Sequence, residues 1–238
     1  AEYAGVDEQK GIPMIYEVIT DPLTGETKHS GNIIPATSTN IDNNRMILDG
    51  KSALPKLVGG LSTTFNFYGF DIYALFSFAT GNYIYSRLRQ SAMTPNAGMM
   101  VLDRSLLTDS WKAPGDKTDI PQMNAGCMYY YDDAGNPTSE AVLYGSENKT
   151  PTSRFLEKGD YLKLRNLTIG YTIPFKNTSN NAVKSLRVYV SGTNLFTLTQ
   201  FSGYDPEVVI DQTTGAAVET FTAMPASRIY SLGVNLNF

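Results

Sequence analysis

Few side chains in this sequence are suited to covalent catalysis. The chain has a single histidine, His29, and a single cysteine, Cys127. A hydrolytic triad requires a nucleophile, a base and an orienting acid held together, and the sequence places no such partners with His29. Nothing near Cys127 indicates an activated thiol. We therefore expect both residues to lie in loops, and we expect the chain not to be an enzyme.

Two groups of acidic and amide side chains could be considered as cation ligands. One comprises Asp132, Asp133, Gly135 and Asn136, and the other is the Asp-Asn-Asn run at residues 42–44. A calcium loop of the EF-hand type needs ligands at fixed spacing and a distal glutamate, which neither group has. The same residue types prefer turns. The sequence therefore predicts turns here, with no metal site and no cofactor.

One aromatic group is suited to noncovalent recognition. Trp111 and the run Tyr129, Tyr130 and Tyr131 lie within the long segment at residues 91–158. Flat apolar rings with polar tips can stack on sugars or pack against a protein partner. Packing of the loop onto itself is the simpler interpretation. Trp111 and the three tyrosines are thus candidates for ligand or partner contact, with internal packing as the open alternative.

The last ten residues, 229–238, alternate strictly in polarity. Small polar residues occupy one side, and the other side carries Tyr230, Leu232, Val234, Leu236 and Phe238. Successive side chains of a strand point to opposite faces of the sheet, so one face of this segment is apolar or aromatic. Strands of membrane-spanning barrels have this pattern, with lipid on the apolar side. We predict that these five side chains face lipid, although a soluble amphipathic strand has the same period.

Similar alternation predicts four further strands, at residues 57–67, 70–85, 160–173 and 185–199. Tyr68 and Gly69 form a tight connection between the first two. In the third of these strands the apolar residues change parity midway, which requires a bulge near Arg165 and Asn166. The connections alternate between short and long, and the long ones are at residues 91–158 and 200–228. In outer-membrane barrels, short turns face the periplasm and long loops face the outside.

The predicted fold class is all-β, an antiparallel up-and-down transmembrane β-barrel segment with long extracellular loops. It would comprise about the last five strands of a large barrel. Residues 1–56 are predicted to form an extracellular loop region with a hairpin whose tip is at residues 21–25, and residues 57–238 hold the barrel strands. Five strands leave two free edges, which lipid does not tolerate. We therefore expect the chain to be part of a larger barrel.

The composition agrees with this fold class. Charged residues make up 18% of the chain and aromatic residues 11%, with 20 glycines, which favours strands and turns over helices. No run approaches the roughly 18 consecutive apolar residues that a membrane-spanning helix requires. The net charge of −4 and the scattered lysines and arginines argue against a nucleic-acid partner.

Four stretches of the sequence resemble the carboxyl-terminal end of the SusC/RagA-type TonB-linked outer-membrane proteins. They lie at residues 51–85, 154–174, 186–208 and 224–238, and they occur in the order and with the spacing found in the family. The most specific signature combines NLF at 194–196, GYDPE at 203–207 and the terminal aromatic strand. The resemblance implies a bacterial outer-membrane location and a TonB-dependent transporter that imports glycans or peptides.

The resemblance also implies partners. A SusD-like surface lipoprotein would act as a lid over the barrel, and TonB would contact an amino-terminal part of the protein that this sequence does not contain. The barrel-assembly machinery would recognise the terminal strand through Phe238, and outer-membrane lipid would surround the wall. Within the GYDPE segment we interpret Tyr204, Asp205 and Glu207 as structural residues, with Pro206 fixing the turn.

Two other interpretations stay open at this point. The first is a self-contained soluble β-sandwich that binds carbohydrate through surface aromatics. In a sandwich, the apolar faces of the strands would have to meet each other instead of lipid. The second is a receptor for siderophores or vitamins, which would share the barrel but would be expected to lack the segments quoted above.

Overall fold

The computed structural model describes residues 1–94, 101–123, 127–131, 136–143, 152–175, 183–207, 217–219 and 224–238, with the backbone alone at 127–131 and 137–143. The strands are β1 (Tyr3–Val6), β2 (Pro13–Thr20), β3 (Thr27–Pro35), β4 (Leu57–Phe67), β5 (Phe70–Thr80), β6 (Tyr83–Ser86), β7 (Cys127–Tyr131), β8 (Pro137–Leu143), β9 (Leu156–Lys158), β10 (Tyr161–Pro174), β11 (Ser185–Thr199), β12 (Val218–Glu219) and β13 (Ile229–Asn237). The helices are α1 (Ser38–Asn43), α2 (Arg87–Ala92) and α3 (Ser105–Thr108), and a 3-10 turn lies at Ser153–Phe155.

Packing divides the chain into two units, each built from several segments. The first unit comprises Ala1–Lys51, Ile84–Glu157 and Ile210–Thr222, and the second comprises Ser52–Tyr83, Lys158–Val209 and Ala223–Phe238. This division by packing differs from the one predicted at residue 56. Residues 52–56 belong to the unit of the long strands, and the amino-terminal segment shares its unit with most of the long connection at residues 91–158.

The second unit contains five long strands in one antiparallel sheet, in the order β13-β11-β10-β5-β4. This order is the order of the strands along the chain, so the sheet is an up-and-down meander. Long alternating segments can pair with their sequence neighbours without any crossover, which is how such sheets form. This meander confirms the predicted all-β, antiparallel up-and-down fold class.

A tight hairpin joins β4 to β5. Tyr68 has a φ of 46° and Gly69 a φ of 87°, and two consecutive left-handed residues make the kind of turn that matches the twist of paired strands. The Gly69 carbonyl accepts a hydrogen bond of 2.7 Å from the Thr172 backbone N–H. A Cβ at position 69 would lie 2.9 Å from the Thr172 carbonyl oxygen, so glycine is required by both φ and space.

The predicted strand at residues 70–85 is wrong in its extent. β5 ends at Thr80, and β6 begins at Tyr83 in a different sheet, of order β12-β6-β9. Between them Gly81 has a φ of 87°, and its backbone N–H donates to the Asp160 carboxylate at 2.6 Å. A left-handed residue breaks the alternation of a strand, and only the structure shows that this glycine adopts that conformation.

The bulge predicted from the parity change is present in β10. The register shifts between Leu164 and Asn166 in the pairing of β10 with both β5 and β11. One extra residue in β10 returns Leu162 and Leu164 to the same face as Leu167 and Ile169. The bulge thus keeps all the apolar residues of this strand on one side of the sheet.

The first unit contains an antiparallel sheet of order β1-β2-β3, the two-stranded sheet β7-β8 and short helices. The β2–β3 hairpin turns at residues 21–26, where the Asp21 carboxylate accepts the Leu23 backbone N–H at 2.8 Å. One core cluster contains Ile15, Ala36 and Ile41, and a second contains Met93, Leu106 and Phe155. The second cluster positions short elements of the connection at residues 91–158.

Candidate functional site

The most extensive functional feature is the apolar face of the five-stranded sheet. Residues directly paired across neighbouring strands share a face, and the pairing places apolar side chains in rows. One row runs from β13 to β4 and consists of Leu232, Val190, Ile169, Ile72 and Phe65. The next row consists of Val234, Val188, Tyr171, Phe70 and Phe67. The face is therefore continuous across all five strands.

This apolar face is exposed. Leu232 is 75% exposed, Phe65 58% and Val190 54%. In a β-sandwich the apolar faces of two sheets bury each other to form the core, so such exposure argues against the sandwich interpretation. Contiguous exposed apolar surface of this extent marks a face that contacts a membrane or another protein.

Its height fits a lipid bilayer. Along β10 the apolar residues run from Leu162 to Ile173, which is about 35 Å of strand. A barrel strand tilted by about 45° would span about 25 Å along the membrane normal with this length, which is the height of the apolar band on outer-membrane barrels. None of the helices in the described part of the chain has the length and hydrophobicity to cross a bilayer.

The opposite face of the same sheet is polar and carries a charge pair. The Arg187 guanidinium of β11 donates to the Asp71 carboxylate of β5, with Nε at 2.9 Å from Oδ1 and a second bond through Nη2. β10 lies between these strands, and the pair passes over Gly170. A Cβ at position 170 would lie 2.5 Å from Asp71 Oδ1 and 2.7 Å from Arg187 Nη2. The absence of a side chain there allows the pair to form.

A second charged group on the polar face comprises Lys163, Arg165, Asp205 and Glu207, and we call it the four-charge cluster. The Lys163 ammonium donates to the Asp205 carboxylate and, at 2.9 Å, to Glu207 Oε2. The Arg165 guanidinium donates to Glu207 and, through Nε at 2.8 Å, to the Ser77 hydroxyl. Two cations and two anions cancel, which allows Lys163 to be only 3% exposed.

The cluster attaches the GYDPE segment to β10. The Asp205 carboxylate also accepts the Glu207 backbone N–H at 2.9 Å, so the segment is folded on itself around Pro206. Burial of Glu207 acts to raise the pKa of its carboxyl group, but hydrogen bonds and charges from Lys163 and Arg165 outweigh this effect and lower the pKa. Glu207 is therefore ionised at neutral pH, as the paired arrangement requires.

The sequence predicts that Asp205 and Glu207 are structural residues, but it does not identify their partners. The partners are about 40 positions away in the chain, and nothing in the local pattern connects them. One signal was available, because Lys163 and Arg165 flank the parity change in an otherwise apolar strand. Charged residues that alternate with apolar ones in a long strand need partners on the polar side of the sheet.

Trp111 packs against a turn near the amino terminus within the first unit. Its indole Nε1 donates to the Glu8 carbonyl at 2.9 Å. A Cβ at Gly11, which has a φ of 69°, would overlap the indole ring. One face of Trp111 is therefore engaged in internal packing. Tyr129, Tyr130 and Tyr131 lie in β7, where the structure describes the backbone alone.

The structure describes only some of the other residues considered for chemistry. His29 stacks on Tyr16 with ring centroids 4.9 Å apart, and its Nε2 lies 3.1 Å from a Glu2 carboxylate oxygen. Cys127 begins β7. Asp132, Asp133 and Gly135 lie outside the described residues, whereas Asn136 lies within them. In the ranges that the structure describes, no three His, Cys, Asp or Glu side chains are grouped to hold a metal ion.

The terminal strand lies at the edge of the sheet, as β13. Tyr230, Leu232, Val234 and Leu236 lie on its apolar face and are 54–75% exposed. Phe238 follows the last strand residue, Asn237, and is 67% exposed. The structure therefore brings the first four residues together on the face described above.

Comparison with known proteins gives relatives in sequence. No protein-family model matches the chain. TonB-dependent receptor P3 of Formosa agariphila is 24% identical over 251 residues, a match that covers 100% of this chain and 21% of that protein. TonB-dependent receptor P26 of the same organism is 26% identical over 191 residues, covering 79% of this chain and 17% of that protein. The chain thus spans about a fifth of the length of the relatives it matches.

Solved structures give the same result for the fold. The structure of the RagAB peptide transporter matches with a TM-score of 0.70 and 23% identity, covering 100% of this chain and 22% of that chain. The RagAB peptide importer in its open-open state matches with a TM-score of 0.66 and 25% identity, with the same coverage. In sequence and in fold, this chain is therefore similar to one portion of the barrel of a TonB-dependent outer-membrane receptor, which confirms the resemblance seen in its residues.

Proposed function

We propose that this chain forms part of the barrel wall of a TonB-dependent transporter in the bacterial outer membrane. The single observation that carries the proposal is the two-sided sheet, whose one face is apolar and exposed across five strands while the other is polar and charged. The sequence relatives are named as TonB-dependent receptors, which supports the same class. The role is passage of a nutrient, and no covalent chemistry is involved.

The apolar face contacts lipid in this proposal. Tyr230, Leu232, Val234 and Leu236 extend the rows of apolar side chains onto the terminal strand, where lipid would cover their exposed surfaces. Phe238 would serve the barrel-assembly machinery as the terminal aromatic residue it recognises. The free edges of β4 and β13 would pair with strands of the same barrel that lie outside this sequence, because a closed barrel leaves no unpaired backbone in lipid.

The transported nutrient is a glycan or a peptide, taken up together with a SusD-like surface lipoprotein. Support for a peptide comes from the solved RagAB structures, which are described as a peptide transporter and importer. TonB would act on a part of the protein outside this sequence. The proposal includes contact with the ligand or the lipoprotein by four aromatic residues, Trp111, Tyr129, Tyr130 and Tyr131. The indole of Trp111 also packs against Gly11 and donates a hydrogen bond to the Glu8 carbonyl.

The proposal is tested by locating the native polypeptide in its source cells and by measuring uptake. Membranes are separated, and the polypeptide is identified by mass spectrometry with the proteins that purify with it. We expect a species much heavier than 26.1 kDa in the outer membrane, together with a lipoprotein, and uptake that stops when TonB is deleted. A soluble species of this mass, with no loss of uptake on its deletion, would overturn the proposal and favour the sandwich.

A further inference from the structure

The first unit contains a cavity of about 410 Å³ beside β1. This size is typical of pockets for small molecules. Residues of β1 and β2 line one part of the cavity, and Met93 of the second core cluster lines another. Its chemically distinctive lining residues are two arginines, two tyrosines and one aspartate, namely Arg89, Arg154, Tyr3, Tyr16 and Asp119.

Arg154 is the unusual member of this lining. Its Nη2 atom is buried and has no hydrogen-bond partner. Among the described residues no carboxylate lies within ion-pair distance of its guanidinium. The group instead lies over two aromatic rings, 5.6 Å from the centroid of Tyr3 and 5.1 Å from that of Phe155. Buried polar groups are normally satisfied, and one bearing charge is costly when it is not.

Within the described ranges, the carboxylates near Arg154 do not form an ion pair with it. Arg89 is paired with Glu157 at 2.7 Å, so that carboxylate is already used. Asp119 is exposed at the rim of the cavity, and its backbone carbonyl accepts the Tyr3 hydroxyl at 3.0 Å. Burial lowers the pKa of Arg154, yet an arginine side chain stays charged at neutral pH. Asp119, which lines the same cavity, favours the charged form of Arg154, but among the described residues no carboxylate forms an ion pair with the Arg154 guanidinium.

A second unsatisfied donor lies in the same unit. The Tyr85 hydroxyl is buried and has no hydrogen-bond partner, and its ring packs edge-on against Phe155, 6.4 Å away. Burial raises the pKa of Tyr85, so the hydroxyl keeps its proton and can donate. Tyr85 is not part of the cavity lining, so Arg154 is the unpaired donor beside the cavity, and an unpaired cationic donor is the pattern expected where an anion belongs.

We propose that this cavity binds the carboxylate group of a transported nutrient, with Arg154 as the residue that pairs with it. A guanidinium offers two parallel N–H groups that match the two oxygens of a carboxylate. The free carboxyl terminus of a short peptide and the uronate group of an acidic glycan both present this chemistry. The inference rests on the proposed transport function and adds a specificity site to it.

The test uses the full-length transporter that contains this chain, purified in detergent. Calorimetry measures the affinities of trialanine and trialanine amide, and separately those of trigalacturonate and maltotriose. Each pair compares an acid with a neutral analogue. If the nutrient is a peptide, we expect trialanine to show the preference, and if it is a glycan, trigalacturonate. That acid should bind about tenfold to hundredfold more tightly than its neutral analogue, which is the range for hydrogen bonds to charged groups.

Three variants make the result specific to the cavity. Arg154→Gln should remove the preference for the acid while leaving the affinity for the neutral analogue unchanged. Ala4→Leu, which adds volume to the lining but keeps Arg154, should weaken binding of both ligands of the pair. Arg45→Gln is the matched control, because Arg45 is an exposed arginine of the same unit that pairs with Asp42, and it should keep the preference.

The acid preference in the parent and its loss in Arg154→Gln are the results expected. The inference is overturned if neither acid is preferred, or if the preference persists in Arg154→Gln while the variant assembles normally in the outer membrane. Uptake by the parent in cells distinguishes failure of the carboxylate site from failure of the proposed transport function. TonB-dependent uptake without any acid preference overturns the carboxylate site alone, whereas absence of uptake overturns the proposed function.

Discussion

Replacement of Leu232 by arginine tests the assignment of the apolar face to lipid. Leu232 lies in the row that continues through Val190, Ile169, Ile72 and Phe65. Along β10 this row is four positions from Ile173 at one end of the apolar face and seven from Leu162 at the other. Leu232 therefore lies near the middle of the apolar band, where a charge is furthest from water.

The expected cost follows from that depth. An arginine on the lipid face of an outer-membrane barrel costs about 2–4 kcal/mol at the bilayer midplane, and the cost falls to about 0–1 kcal/mol at the interfaces. The position of Leu232 corresponds to the midplane value. Each 1.4 kcal/mol is a factor of ten, so Leu232→Arg should lower the ratio of folded to unfolded barrel by about 30-fold to 700-fold.

The assay is equilibrium unfolding of the full-length transporter in phospholipid vesicles, followed by the difference in gel mobility between heated and unheated samples. Ser231→Arg is the matched control, because Ser231 is the preceding residue of the same strand and pairs with Ser191 on the polar face. We expect the control to unfold like the parent. Leu232→Ala separates loss of the leucine from introduction of the charge.

Two results would refute the reasoning. In the first, Leu232→Arg assembles and unfolds like the parent, which would mean that the row does not lie in lipid. In the second, Ser231→Arg costs as much as Leu232→Arg, which would mean that the two sides of the sheet are not in different environments. Either result would remove the main support for the barrel-wall proposal.

Three further predictions concern the polar face. Lys163→Met leaves Asp205 buried without its cation, a change that costs about 3–5 kcal/mol. Hydrogen exchange of residues 201–207 should therefore accelerate. The control Lys184→Met, at an exposed lysine, should leave this exchange unchanged. Gly170→Val pushes Asp71 and Arg187 apart and should lower the free energy of unfolding of the barrel by about 1–3 kcal/mol. Gly60→Val should have a smaller effect, because its new Cβ would meet only the Phe76 carbonyl, at 3.3 Å. The pKa of Glu207 is lowered from its usual 4.5, so its contribution to attachment of the GYDPE segment is complete above pH 4.5 and is lost as the pH falls through the lowered pKa. Glu207→Gln should abolish that acid dependence of exchange, and an unchanged acid profile in this variant would contradict the assignment.

Several features of the fold followed from the sequence because they depend on local periodicity. β4 and β11 have the bounds that their alternation predicts, and the Tyr68–Gly69 turn and the β10 bulge lie where the sequence places them. Side-chain direction in a strand reverses at every residue, so polarity alone assigns each residue to a face. The end of β5 does not follow from the sequence, because the alternating pattern can be continued through Gly81. The strand ends before this residue because Gly81 has a left-handed backbone.

The candidate sites depended far more on long-range packing. Trp111 was singled out by its residue type, but only the structure shows that its indole lies against Gly11, about 100 positions earlier. Arg154 was not singled out at all, because an arginine in a connecting segment is ordinarily a solvated residue. Its burial beside Tyr3 and Phe155 is a property of how the first unit packs.

The sequence by itself therefore determined that the long segments are strands, which of their faces are apolar, and that they resemble part of an outer-membrane barrel. The tertiary structure alone decided which charges meet. Strand register pairs Asp71 with Arg187 over Gly170. The GYDPE segment folds back onto β10, where Asp205 and Glu207 pair with Lys163 and Arg165. The physical reason is that apolar faces arise from the period of the backbone, whereas an ion pair requires that two distant segments be brought within about 3–4 Å of each other.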